Sequence, residues 1–421
     1  MTGQQRPSIL LIGTCDTKAD EILFMKSCME AEGALVTIMD VGVLGQPAFV
    51  PEVSNAEVAA AAGSTIAGIA ALGDENAAMT KMAAGAAALT RRLYNDGAVQ
   101  GLIALGGSMG TDLALDAAAA LPLGVPKFVV STVAFSHLLP SDRMSADLMM
   151  ILWAGGLYGL NSICKSVLSQ ACGAVVGAAR STFVPQNERP VIGMTSLGKS
   201  CLQYMVHLKP ALEARGYEVA VFHSLGMGGR AFESLTAQGR FAAVLDLCLQ
   251  EYNNEINGSI VSAGASRLTA AGLRGIPQIV APGATDMIDF QTWRPLPEKY
   301  QGRPYHAHNR LIASVTNTPA ERREFARAVA ARLGEARGPV SLLLPLRGIE
   351  QWDRPNEPLH DPEGLACLID EFRKVVKPPV QLVEVDAHIN DQTFSDRVLA
   401  IFDDWVARGL IVAGNRETSH A

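Results

Sequence analysis

Several stretches of this chain combine residue types and spacings that permit chemistry. Gly13-Thr-Cys-Asp-Thr-Lys18 and Gly106-Gly-Ser-Met-Gly-Thr111 each follow a short apolar run. A loop feeding a helix N-terminus presents unpaired backbone N–H groups and the positive end of the helix dipole, which suits phosphate or carboxylate. In the first loop Thr14 and Thr17 add hydroxyls, Lys18 adds charge, and Asp16 offers an oxygen to Mg2+ or a ribose hydroxyl. Asp16 or Thr17 would serve equally as a plain helix cap. In the second loop three glycines within five residues exceed what a turn needs. Gly106 and Gly107 would let a ligand approach the backbone, with Ser108 and Thr111 donating to its oxygens.

Two other segments offer acid–base groups. His223-Ser-Leu-Gly226-Met-Gly228-Gly229-Arg-Ala-Phe-Glu233 is another glycine loop opening onto a helix, flanked by a histidine and a glutamate. Histidine exchanges protons near neutral pH, although a lone histidine at a strand end is as readily a hydrogen-bonded anchor. His306-Ala-His308-Asn309 places two imidazoles on one face of a strand, and Asp386-Ala-His388-Ile-Asn390-Asp391 repeats the idea with an acid. No third metal ligand is placed by spacing, so metal binding and loop anchoring both stay open.

Gly193-Met-Thr195-Ser-Leu-Gly198-Lys199-Ser200 fits GxxxxGK[ST] between a strand and a helix, with Asp246 in the place of a Walker B acid. The same strand–turn–helix in the first half carries no such pattern, which counts against a P-loop NTPase.

These loops need elements to position them. With 421 residues, 48% of them hydrophobic, two cores are expected. Ser8 to Ile12 reads as a buried strand, Ala19 to Ala31 as a helix stopped by Gly33, and Leu35 to Met39 as a strand ending at Asp40. The pattern returns as Val191-Ile192, Cys201 to Ala214, Gly216, and Glu218 to Phe222 ending at His223. Asp40 and His223 would therefore occupy matching places. Gly101 to Gly106 resembles Gly258 to Gly264, and Gly124 to Val130 resembles Gly275 to Ala281. Near-continuous apolar strands alternating with helices imply parallel sheets covered on both faces. The expected fold is α/β, two Rossmann-like parallel-sheet domains of related topology, 1–182 and 183–421, facing across a cleft. Ser181 to Pro190 is the expected linker. Ligands of such sheets bind beyond the carboxyl ends of the strands.

The formal net charge of -7 and the lack of a basic run argue against nucleic acid. Seven scattered cysteines without a CxxC read as reduced core thiols. The polar start and the glycine-interrupted apolar stretch Leu148 to Leu160 suggest neither a signal peptide nor a membrane span, so a cytoplasmic protein is expected.

The motifs taken in order resemble the bacterial and fungal relatives of the ATP-binding inhibitory domain of the tomato mosaic virus resistance protein, an uncharacterised protein family. The likeness rests on the loops at 13–18, 106–111, 193–195 and 223–233, together with Gly159-Leu-Asn161, His306-x-His-Asn309, Pro345-Leu-Arg-Gly348, Asp361-Pro-Glu363 and Asp386-x-His-Ile-Asn-Asp391. It implies a two-domain α/β fold, ATP with Mg2+, and a homodimer. It also implies a TIM-barrel, phosphoenolpyruvate-hydrolase-like partner. In relatives a run of threonines follows the Asp246 position, where this chain has Leu247-Cys-Leu-Gln250. The expected function is thus nucleotide (ATP) binding on Gly13–Lys18, Gly106–Thr111, Gly193, Thr195, Gly226, Gly228, Gly229 and Gly264, with Asp16 as the metal ligand. The alternative is an enzyme acting on a small carboxylate or sugar-derived acid, using His223, Glu233, His308 and His388.

Overall fold

The computed structural model describes residues 6–140, 143–153, 155–181 and 189–415. The chain divides into two compact units, Met1–Pro185 and Gln186–Ala421. The expected boundary at 182/183 and most of the Ser181–Pro190 linker lie outside the described residues, as does Ala154.

Unit 1 runs β1 (Ser8–Gly13), α1 (Ala19–Ala31), β2 (Leu35–Asp40), α2 (Asn55–Ala61), α3 (Ile66–Ala70), α4 (Glu75–Asn95), β3 (Gly101–Gly106), α5 (Ser108–Ala119), β4 (Lys127–Ser131), β5 (Met149–Leu152) and α6 (Ser162–Arg180). Its five strands pair in parallel in the order β2-β1-β3-β4-β5. Because β1, β3 and β4 are buried on both faces, they read as unbroken apolar runs. Ile9, Leu11, Ile103 and Val130 pack on one side beneath α1 and α6, while Leu10, Ile12, Leu102 and Val129 pack on the other beneath α4 and α5. By length and composition α6 would suffice to cross a membrane. Its Cys164, Leu168, Ala171, Cys172 and Val175 recur at helical spacing and lie fully buried in the core, so it reads as a core helix.

Unit 2 runs β6 (Val191–Ser196), α7 (Gln203–Glu213), β7 (Glu218–His223), α8 (Met227–Ala237), β8 (Ala243–Cys248), α9 (Gln250–Ile256), α10 (Ala270–Arg274), β9 (Gln278–Gly283), β10 (Met287–Gln291), β11 (Tyr305–Ala307), β12 (Ile312–Thr316), α11 (Pro319–Gly334), β13 (Val340–Pro345), α12 (Pro362–Val375), β14 (Gln381–Val385) and α13 (Gln392–Ala407). Six strands pair in parallel as β14-β13-β9-β8-β6-β7. Counted from each unit's own first strand, both sheets begin 2-1-3-4-5, and unit 2 adds a sixth. Each is a Rossmann-like α/β sheet with its reversal of order between first and third strands. Between β9 and β13 unit 2 also inserts a small antiparallel sheet, β10-β12-β11.

Most expected bounds hold within a residue or two, and two differ. Segment 258–264 forms no strand. Gly258 and Gly264 have φ of 74° and 90°, and Asn254 Nδ2 donates to the Val261 carbonyl at 2.9 Å, holding the segment as a loop. The third strand of unit 2 is instead β8. Likewise β6 continues through Gly193 to Ser196, and α7 starts only at Gln203. The matching of Asp40 with His223 does hold, since Gly13 pairs with Asp40 and Ser196 with His223 at the ends of the first two strands.

Candidate functional site

In unit 1 the loops after β1 and β3 meet around one cavity of about 310 Å3 at the β1/β3 reversal. Its wall includes Gly13, Thr14, Thr17, Lys18, Gly106, Gly107 and Ser108. Thr14 Oγ1 and Thr17 Oγ1 share a hydrogen bond of 2.7 Å, and Lys18 Nζ is steadied by the Leu157 carbonyl at 2.7 Å and the Tyr158 ring. The glycines of the second loop do different work. A Cβ on Gly106 would meet Gly110 Cα at 2.5 Å, so Gly106 is glycine for the turn's own sake. A Cβ on Gly107 would meet nothing nearer than Thr132 Oγ1 at 3.7 Å. Gly107 is also the N-cap of α5, where no side chain accepts from the helix's first N–H groups. An adjoining cavity of about 400 Å3 shares Met79, Ser108 and Met109 and has an apolar wall of Leu115, Val133, Leu138 and Leu139.

Three expectations for unit 1 are corrected. Thr111 is buried, and its hydroxyl meets Ser131 Oγ at 2.7 Å, so it serves the core. Asp16 Oδ2 accepts from the Gly45 amide at 3.1 Å, and Asp16 lines neither cavity. No carboxylate is among the residues lining the 310 Å3 cavity, so the residues present do not fit a protein-held Mg2+. Cys15, within the first loop, is no nucleophile, because burial and the nearby Asp40 push its thiol far up.

In unit 2 the corresponding reversal lies between β6 and β8 and holds a cavity of about 480 Å3. Its wall combines Gly198 and Lys199 after β6, Gln250 after β8, His223 at the end of β7, Asp289, His306 and His308 from the small sheet, and Trp352. Cross-strand register explains the grouping. Ser314 in β12 lies opposite Asp289 in β10 on one side and His306 in β11 on the other. Ser314 Oγ donates to Asp289 Oδ1 at 2.5 Å and lies 2.9 Å from His308 Nε2. The hydroxyl has one proton, which goes to Asp289, so the bond to His308 must use the imidazole Nε2–H. That fixes the tautomer and leaves Nδ1 as the lone-pair nitrogen. His306 and His308 both pack against the Trp352 ring, with centroids 5.1 and 4.9 Å away. Burial pulls the pKa of His308 down, opposed by Asp289 and aided by His306, and burial lowers His223 as well. Both rings are neutral near pH 7. Among the described residues no group of three or more metal-ligating side chains is assembled, so the HxH pair stands without a third ligand.

The third glycine loop is already filled from within. Glu251 Oε2 accepts from the amides of Gly226 at 2.8 Å and Gly229 at 3.2 Å. A Cβ on Gly229 would fall 1.5 Å from Glu251 Oε1, and one on Gly228 1.9 Å from the His223 carbonyl. These glycines therefore serve an internal carboxylate, and Gly226, Gly228 and Gly229 are withdrawn as ligand donors. Glu251 belongs to a buried network in which Arg267 forks onto Asp246 at 2.5 and 2.6 Å and also reaches Glu251 and Glu233. Glu233 accepts from the amides of Leu268 and Ala270 as well, so it is a structural anchor and not an acid–base residue. Thr195 is buried between Asp246 and the Cys248 amide.

The Walker-like pattern is corrected on the same grounds. Gly193 lies inside β6, where a Cβ would strike Phe241 and Phe232 at 2.8 and 2.9 Å. Ser200 precedes α7 by three residues, its carbonyl accepts from Asn390 Nδ2 and the Gln351 amide, and the acid Asp246 is bound to Arg267. His388 is buried, with Nε2 on the Glu350 carbonyl and Asp353, and Nδ1 accepting from the Asn390 amide. Both nitrogens are in use, so His388 is not an acid–base residue facing a ligand. Gly264 sits in a turn bonded to Ser262 and lines neither reversal cavity.

The expectations missed Asp289, Ser314, Gln250, Trp352 and Arg267. Asp289, a charged residue inside the apolar run Met287–Gln291, carried a readable signal.

Two parallel-sheet α/β units, each with a cavity at its strand-order reversal, define a two-domain Rossmann-like protein. Residues 7–183 and 189–406 match the N-terminal and C-terminal domains of the uncharacterised protein family UPF0261, and the chain belongs to that family. A UPF0261 protein of Brucella melitensis is 58% identical over 97% of this chain and 98% of its own length. A UPF0261 protein of Clostridium tetani is 36% identical over 92% of this chain and 96% of its own. The ToMV resistance protein Tm-1 of Solanum lycopersicum is 29% identical over 94% of this chain, which spans 55% of that protein.

Proposed function

We propose that unit 1 is a nucleotide-binding domain, with the phosphates of ATP held by Gly107, Ser108 and the α5 N-terminus, and with Thr14, Thr17 and Lys18 closing over them. The carrying observation is the pairing of an N-cap glycine, whose Cβ would meet only Thr132 Oγ1 at 3.7 Å, with a helix start that no side chain caps. Backbone N–H groups and the helix dipole then point into a cavity bordered by a lysine and two threonines. The adjoining cavity, with Leu115, Val133, Leu138 and Leu139 on its apolar side and Glu75, Asn76 and Asp112 also in its wall, offers room for a base, and the resemblance read from the sequence points to ATP among nucleotides. With no carboxylate on the cavity wall, magnesium would arrive on the phosphates and meet hydroxyls only.

Thermal unfolding of the full chain with ATP, ADP and AMP, with and without Mg2+, tests the reading. Saturating ATP should raise the midpoint, because a ligand that binds only the folded state stabilises it by mass action. Gly107→Asp should abolish the rise by placing a carboxylate where the phosphate sits. Absence of any nucleotide response, or an unchanged response in that variant, overturns the reading.

A further inference from the structure

The unit 2 cavity has no part in that reading, yet it holds a wholly buried polar group turned to no partner. Gln250 Nε2 donates to the Met287 carbonyl at 2.9 Å, which fixes the amide's orientation. Its Oε1 then accepts no hydrogen bond from any described residue, although Gln250 is fully buried and lines the cavity. An unsatisfied buried acceptor is costly, and a ligand hydroxyl entering the cavity would offset that cost. Around it stand the exposed Lys199, the neutral lone-pair nitrogen of His308, His306, His223 and the Trp352 ring.

We propose that this cavity binds a small hydroxylated carboxylate, its carboxylate on Lys199 and its hydroxyls shared between Gln250 Oε1 and His308 Nδ1. The charge argument is direct. Lys199 supplies the cationic partner, while Asp289 is occupied by Ser314 and by Asn254 Nδ2 at 3.1 Å, so it does not compete for the cation. The hydroxyl argument rests on acceptors in the wall, among them Gln250 Oε1 and His308 Nδ1, each suited to an O–H donor. Trp352 supplies an apolar face for a short carbon chain. Ser314 and Asp289 are positioning residues, holding His308 in the Nε2–H tautomer so that its acceptor nitrogen is left for the ligand. A phosphate ester or nucleotide fits worse, because the helix that starts on this wall at Gln250, α9, has only 7 residues against the 12 of α5.

The test uses the full chain and calorimetric titration with D-glycerate and D-gluconate, with propionate as the hydroxyl-free control. At least one hydroxy acid should bind, and propionate should bind at least tenfold more weakly. Lys199→Ala, a change at an exposed side chain, should weaken the hydroxy acid by tenfold or more. Gln250→Leu should reduce it to the level of propionate, with circular dichroism confirming that the variant is folded. In 15N-histidine NMR, His308 should show the Nε2–H pattern, shift on adding the probe, and lose tautomeric purity in Ser314→Ala. Gly107→Asp should leave hydroxy-acid binding unchanged, which separates this site from the nucleotide site of unit 1. Failure of both hydroxy acids to bind at millimolar concentration overturns the proposal. So does equal binding of propionate, or binding that survives Lys199→Ala.

Discussion

At the carboxyl ends of its first and third strands each unit opens a cavity, and the two are walled by different chemistry. In unit 1 the third strand ends in Gly106-Gly107-Ser108, and the helix beyond it, α5, begins with no side-chain cap. In unit 2 the third strand ends in Cys248-Leu249-Gln250, and what faces the cavity is a side-chain amide. The parallel sheet determines where a ligand can sit, since strand order parts the loops there in both units. The residues placed on the loops determine what that ligand can be. On the readings proposed above, glycines and bare amides suit a phosphate in unit 1, whereas lysine, imidazole and a buried carbonyl oxygen suit a small hydroxylated acid in unit 2.

A second contrast concerns glycine itself. Gly107 is open on its Cβ side, while Gly226, Gly228 and Gly229 are packed against Ser262, His223 and Glu251. The first loop is left open on that side, and the second is filled by a carboxylate of its own chain. Damage to the unit 2 loop should therefore cost stability, and damage at Gly107 should cost only the ligand.

The largest expected effect is at the centre of the filled loop. Arg267→Met would leave Asp246, Glu251 and Glu233 buried without their cation. Breaking a buried ion pair in this way costs about 3–5 kcal/mol, so urea unfolding should show unit 2 melting far earlier or failing to fold. A variant that unfolds with the native midpoint would show that the network is not structural. Next comes Gly106→Ala, whose Cβ must displace Gly110 Cα. Overpacking of this kind costs about 1–3 kcal/mol, to be read as a lowered urea midpoint in unit 1 with no ligand present.

The pH response of the filled loop follows from its burial. Desolvation raises Glu251 to about 7 against the pull of Arg267. An acid whose folded pKa lies above its unfolded value binds its proton more tightly in the folded state. Its contribution is fully present below the unfolded pKa and is lost as pH rises toward about 7. Urea midpoints of Glu251→Gln, taken relative to the unaltered chain, should therefore improve between pH 5 and pH 8. A constant difference across that range would mean that Glu251 is ionised throughout.

These contrasts also show what the sequence alone makes legible. The β1-α1-β2 unit could be bounded to within a residue because the buried run, the helical spacing and the stop at Gly33 are all local signals. The matching of Asp40 and His223 followed from the same local rule. Anion loops were legible as glycine clusters, but whether an internal carboxylate already fills one depends on Glu251, which lies 22 residues beyond Gly229. Nothing in the local pattern marks that glutamate. The unit 2 cavity was only half legible. His223, His306 and His308 stood out by type, whereas Ser314 and Asp289 join them through antiparallel register, and Trp352 comes from beyond β13. Gln250 sits among buried neighbours with no pattern of its own, and its role depends on the partner its oxygen lacks.

The smallest expected effect separates the two kinds of glycine most cleanly. Gly107→Ala adds a Cβ that meets only Thr132 Oγ1 at 3.7 Å, an ordinary contact. Its φ of -72° is open to any residue, so no backbone strain arises. The change should move the stability of unit 1 by no more than about 0.5 kcal/mol, as for a surface substitution. If Gly107 exists for a phosphate, the added methyl must still intrude on the ligand, and ATP affinity should fall while the ligand-free unfolding midpoint holds. The informative outcome is the split between the two measurements. A loss of stability equal to the loss of binding would make Gly107 one more packed glycine, like those of unit 2. An unchanged affinity would place the phosphates elsewhere on the loop.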